Sequence, residues 1–121
     1  MECVLQLSEV RGHASIEISG PFDSPHNEIT VLVKDIIDQG QKNVVVDLRK
    51  TTYFTSNGLA SLIVALKHAR ASEGVLFILG PTSDMINIFQ LTRLDSIFII
   101  AEDEDELVRL LDDPDSGPVI V

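Results

Sequence analysis

The sequence predicts an α/β protein in which an opening β-hairpin is followed by regular helix–strand alternation. Three observations predict it. Apolar residues recur at helical spacing in four separate stretches. Between those stretches lie short runs, "VVVDL" (residues 44–48) and "VLFIL" (residues 75–79), that barely alternate, as strands covered on both faces do. Before them comes "ASIEISG" (residues 14–20), with Ile16 and Ile18 on one face and Glu17 on the other, the period of a half-buried strand. Strands separated by helices are joined by crossovers and lie parallel.

The elements follow in order. Residues 3–7 alternate weakly, and Gly12 and His13 mark a turn into residues 14–20, hence a hairpin. "PFDSPHN" (residues 21–27) is turn chemistry, with two prolines and candidate caps. Ile29, Leu32, Val33, Ile36 and Ile37 fall on one face of a helix that Gly40 stops. After the strand at 44–48, Leu59, Leu62, Ile63 and Leu66 line a second helix, ended by Gly74. The strand at 75–79 leads to Pro81, Thr82 and Ser83, which break the chain and cap a third helix through Met85, Ile88 and Phe89. "SIFII" (residues 96–100) reads as the last strand. A fourth helix starts near Asp103, whose spacing to Glu106 matches a capping box, and buries Leu107, Leu110 and Leu111. Residues 1–112 form one domain, and "DPDSGPVIV" (residues 113–121) reads as a flexible tail.

Composition narrows the function. The chain has 121 residues, 45% of them hydrophobic and none tryptophan, enough for an aliphatic core. A single cysteine, Cys3, excludes an internal disulfide. No apolar run reaches the roughly 18 residues that span a bilayer, and the opening residues lack a basic leader and cleavage site, so a cytoplasmic protein is expected. The formal net charge of −10 argues against nucleic acid and anionic membrane. No phosphate loop, nucleophile elbow or metalloprotease motif occurs. His13, His26 and His68 lack metal-ligand spacing. The acidic run at residues 101–106 reads as a helix start, where carboxylates meet the positive end of the dipole. No enzyme, metal or cofactor is expected.

"TSNG" (residues 55–58) stands where a strand hands over to a helix. If the helix begins at about Ser56 or Asn57, a short oxygen-bearing side chain there caps it. Helix starts also stabilise anions. A phosphate on Ser56 would bring about −1.5 to −2 charges to a place whose field tolerates them. Gly58 is expected to leave the approach open to a kinase or partner backbone.

The stretch "VVVDLRKTTYFTSNGLASLI" (residues 44–63) resembles the signature of the STAS domain, the family of bacterial anti-sigma factor antagonists. Its members typically read hydrophobic strand, Asp-Leu, then Asp-Ser-Ser-Gly-Leu at a helix start. "ISGPFDS" (residues 18–24) is similar to the family's Gly-x-Leu-Asp turn, and residues 76–111 are similar to its closing strand–helix–strand–helix. The resemblance implies the family's fold: a mixed four- to five-stranded sheet starting with a hairpin, with about four helices mainly on one face.

It also implies a phosphoprotein of transcription regulation that works by partner switching. The unphosphorylated antagonist binds an anti-sigma factor, a serine protein kinase of the histidine-kinase-like ATPase fold. Phosphorylation releases it, and a serine phosphatase resets it. The family's phosphoserine aligns with Ser56, its preceding Asp with Thr55 and its following Ser with Asn57; Asp23, Asp47 and Gly58 match directly. The implied partner-binding face is Asp23, Thr55, Ser56, Asn57, Gly58 and Leu59, on a monomer or weak dimer. Thr55 in place of Asp removes a charge beside the acceptor and supplies a rival hydroxyl. Arg93 stands where many relatives have Gly, which is expected to alter the cap after the third helix. The alternative role within the resemblance is a scaffold or interaction module of a stressosome-like complex, or an accessory subunit of a transporter.

Overall fold

A computed structural model describes residues 3–23 and 28–112. Strand β1 (Val4–Val10) pairs antiparallel with β2 (His13–Phe22), Val10 opposite His13. The two residues between them, Arg11 and Gly12, have φ of 51° and 84°. Two positive φ values make the tight turn whose twist matches that of the flanking strands.

β2 is long because it serves two partners. Residues Ser15 to Glu17 pair parallel with β3 (Asn43–Asp47), and from Gly20 to Phe22 the strand pairs parallel with β4 (Thr51–Phe54), with a register shift between Gly20 and Pro21. β3 pairs with β5 (Val75–Leu79) and β5 with β6 (Ile99–Ala101), both parallel. Among the described residues six strands form one sheet in the order β1-β2-β3-β5-β6, with β4 beside β2. The sheet is mixed, as expected, but has one strand more than the sequence predicted. β4 escapes a pattern reading because Thr51 and Phe54 are buried while Thr52 and Tyr53 are exposed, which is no strand period. Thr51 is held inside by its hydroxyl, which donates to the Ile18 carbonyl at 2.7 Å.

Helices α1 (Glu28–Asp38), α2 (Ser56–Ala71) and α3 (Ser83–Leu91) share the larger core; α4 (Glu104–Asp112) covers the opposite face. The unalternating strands are explained at once. Val44, Val46, Leu76 and Ile78 enter the larger core, while Val45, Phe77 and Leu79 meet Leu107 of α4 in the smaller one. Three phenylalanines bind the larger core where α3 crosses it. Phe89 stands with its ring centre 5.5 Å from Phe54, edge to face, and 5.5 Å from Phe98.

Two further expectations change. The last strand begins at Ile99 and not at Ser96, since Leu94–Ser96 form a 3₁₀ turn. Phe98 is apolar because it fills the core, and its N–H donates to Leu94 across that turn at 2.9 Å. α2 ends at Ala71, before Gly74, and the left-handed residue that follows is Glu73, φ 62°. Arg93, after α3, adopts φ 61° itself, a conformation that favours glycine. The capping box is present in an extended form, with Glu106 N–H donating to Asp103 at 2.8 Å and Glu102 N–H donating to Glu106 at 3.2 Å. Residues 24–27, with the turn read there and His26, and the expected tail at 113–121 lie outside the described residues.

Candidate switch site at the start of helix α2

Each helix follows a strand of the parallel set, so all four helices begin at one end of the sheet. α1 carries Glu28 in its first turn, α3 carries Asp84, and α4 carries Glu104, Asp105 and Glu106; α2 carries no acidic residue there. The carboxylate that meets the positive end of α2 comes from elsewhere, from Asp23 just beyond β2.

Thr55, and not Ser56 or Asn57, is the residue that caps α2. Its backbone is extended, and its hydroxyl oxygen accepts from the Gly58 N–H at 3.3 Å. The same hydroxyl donates to Asp23 Oδ1 at 2.6 Å. The Asn57 side-chain amide reaches the same oxygen at 3.4 Å. Thr55 N–H donates to the Phe22 carbonyl at 3.1 Å, which ties the helix entry to the end of β2. Asp23 therefore organises the junction from two positions of the next segment.

Gly58 is buried, and its role differs from the one the sequence suggested. A Cβ there would stand 2.1 Å from the Phe22 carbonyl oxygen. The glycine lets the first turn of α2 press onto the β2 backbone, so it serves packing inside the protein and not an open approach. Leu59 is half-buried against the larger core. Ser56, first residue of the helix, is exposed, as are Asn57 and Asp23. Tyr53, 55% exposed on β4 shortly before the cap, lies outside the residues the sequence singled out. Its only signal was being the one tyrosine of the chain.

Asp47 proves to be a structural residue. It is buried and accepts from the Arg49 N–H at 3.0 Å, from Nε at 3.0 Å and from Nη2 at 2.8 Å. Arg49 Nη1 also donates to Glu104 at 2.6 Å, and Arg11 donates to Glu104 at 3.0 Å and Asp105 at 3.2 Å. These guanidinium groups hold the Glu104 carboxyl below the usual carboxylate range. The acidic run thus starts α4 and pairs with arginines, and among the described residues no group of His, Cys, Asp and Glu could hold a metal ion. Cys3 lies beside this junction: burial pushes its thiol up, partly offset by a hydrogen bond from the Asp23 backbone. Among the described residues no helix is long and apolar enough to cross a membrane.

Known proteins share this arrangement of elements. The STAS domain family model matches residues 5–107. An anti-sigma factor antagonist from Mycobacterium paratuberculosis has a TM-score of 0.75 and 17% identity, over 93% of this chain and 96% of the other. The Bacillus cell fate determinant SpoIIAA in its phosphorylated form has a TM-score of 0.64 and 23% identity, over 88% and 99%. A sulfate transporter family protein from Wolinella succinogenes has a TM-score of 0.66 and 13% identity, over 81% and 83%. At these identities the likeness to the solved structures is one of fold.

Proposed function

Since the chain belongs to the STAS domain family, we propose that it is an anti-sigma factor antagonist switched by phosphorylation at Ser56. In its unmodified form it binds an anti-sigma factor that is also a serine kinase of the histidine-kinase-like ATPase fold. Phosphate on Ser56 releases the partner, and a serine phosphatase restores binding. The protein acts in the cytoplasm as a monomer or weak dimer, and Asp23, Ser56, Asn57 and the adjoining Thr55, Gly58 and Leu59 form the face the partner covers.

One observation carries this reading: of the two neighbouring hydroxyls, Ser56 is exposed while Thr55 is engaged on both sides, as donor to Asp23 and acceptor from Gly58. Thr55 could be phosphorylated only by giving up the helix cap. Ser56 sits on the first turn with no carboxylate of its own helix beside it. A phosphate there adds about −1.5 to −2 charges without breaking a described hydrogen bond of the junction. Its effect would then fall on the partner, through repulsion and desolvation at the interface, and leave the carrier folded. That one of the structural relatives, SpoIIAA, has been solved in a phosphorylated form fits this use of the fold.

The test is incubation with the co-purifying serine kinase and ATP, followed by phosphosite mapping. Label is expected on Ser56 and is lost in Ser56→Ala; label confined to Thr55 would defeat the assignment. Ser56→Asp is expected to weaken kinase binding at least tenfold, about 1.4 kcal/mol, whereas Ser56→Ala keeps wild-type affinity. A second reading, a scaffold module or transporter accessory subunit, draws on the likeness to the sulfate transporter family protein. Recovery of the native protein in a large assembly or with a membrane ATPase, at unchanged affinity in Ser56→Asp, would put that reading first.

A further inference from the structure

Among the described residues β6 ends the sheet, with no strand beside its outer edge. Ile99 lies opposite Phe77 and Ala101 opposite Leu79, and the Ala101 carbonyl accepts from the Gly80 N–H at 2.8 Å. In a parallel ladder alternate residues bond the same neighbour. Ile99 and Ala101 therefore face β5, and Ile100 turns its N–H and C=O to the open edge. A groove of about 540 Å³ runs along that edge. Ile86 and Gln90 of α3 form one wall, Glu106 and Leu110 of α4 the other, with Phe98 and Ile100 among the apolar groups within it. Asp95, Glu102 and Glu106 also line it, and among the described residues no basic one does.

Sheet edges left bare invite another strand, and proteins commonly blunt them with lysine or cover them. Here, among the described residues, the charges lining the groove are all carboxylates, and the strand edge lies in a groove with apolar contact surface. We propose that this groove receives an extended segment of a protein partner, alternating apolar and basic residues, which docks as a further strand on Ile100. Backbone hydrogen bonds to Ile100 would set the segment's register, and apolar side chains would fill the groove between α3 and α4. Lysine or arginine at the flanking positions would meet Asp95, Glu102 and Glu106. Charge argues against two other occupants. A second copy would bring the same three carboxylates, within a chain of net charge −10, against their own kind. The segment that follows α4 carries Asp113 and Asp115 and enters with like charge. The groove is separate from the α2 junction, since β3 and β5 lie between β6 and β2 in the sheet, and it does not depend on the antagonist reading.

The test is selection of a phage-displayed random 12-residue peptide library on the full chain, followed by amide-shift mapping with the enriched peptide. Enriched peptides are expected to alternate apolar residues with Lys or Arg and to shift the amides of residues 99–102 and the facing walls. The double variant Asp95→Asn, Glu106→Gln should bind the peptide at least tenfold more weakly; the glutamine keeps an oxygen for the Glu102 N–H, so the fold is retained. Ser56→Asp should bind as wild type does, which separates this site from the switch. Acidic or absent enrichment, a footprint on Asp23 and residues 55–59, or a dimer that protects the Ile100 amide would each overturn the proposal.

Discussion

The starts of α2 and α4 emerge at the same end of the sheet and are built in opposite ways. α4 begins with three carboxylates, and two arginines from other parts of the chain pair with two of them: Arg49 holds Glu104, and Arg11 holds Glu104 and Asp105. α2 begins with none. A single carboxylate, Asp23, is shared by the cap and Asn57, and Ser56 faces solvent beside it. The same local field, the positive end of a helix dipole, is filled permanently in one place and left available in the other. A helix start becomes a clamp or a switch according to whether its compensating charge is built into the chain or can be added later.

That contrast can be broken or sharpened experimentally. The largest effect should come from Gly58→Ala, which drives a methyl into the Phe22 backbone carbonyl. A loss of about 3 kcal/mol in urea unfolding is expected from overpacking of this kind; a loss below 1 kcal/mol would show that α2 can lift off β2. Next is Arg49→Ala, which leaves the Asp47 carboxylate, 3% exposed, with one backbone N–H. About 2 kcal/mol is expected for an under-satisfied buried acceptor. Arg49→Lys should recover less than half of it, because the paired geometry needs a guanidinium.

Thr55→Ala should cost about 1 kcal/mol, the usual worth of such a cap. Faster hydrogen exchange is expected in the first turn of α2, with α4 unaffected; equal change in both would refute two independent junctions. The smallest effect concerns pH. Glu104 has a lowered carboxyl pKa in the folded protein. Its contribution is full above the ordinary carboxylate value of about 4.3 and is lost as pH falls below that, through the lowered folded value. Between pH 5 and 3, Glu104→Gln should lose less of its urea midpoint than wild type. A steeper loss in the variant would remove the clamp from the explanation.

The junctions also show where a sequence can be read and where it cannot. The capping pair at Asp103 and Glu106 was legible because both partners lie within one turn. So was the cap at Thr82, which accepts from Met85 N–H at 3.2 Å. At α2 the same logic placed the helix start but left open which neighbouring oxygen caps it. The decisive partner, Asp23, is 32 residues away, and only the folded chain brings its carboxylate to Thr55. β4 was missed for a related reason. Four residues without alternation become a strand only because the end of β2, Gly20 to Phe22, pairs with them across a register shift. Phe98 misled in the other direction, since a core side chain was taken as a sign of strand.

By itself the sequence determined the α/β class, the helices, the buried strands and the resemblance that singled out Ser56. Those features depend on period, on composition and on contacts within one turn, all of which are local along the chain. Only the tertiary structure decided that Thr55 is the cap, that Gly58 is a packing contact and that Asp47 anchors Arg49. It alone placed α4 against the opposite face and set β6 at the end of the strand order. Each of these depends on which distant backbone or carboxylate arrives beside a residue, and no local pattern encodes that arrival.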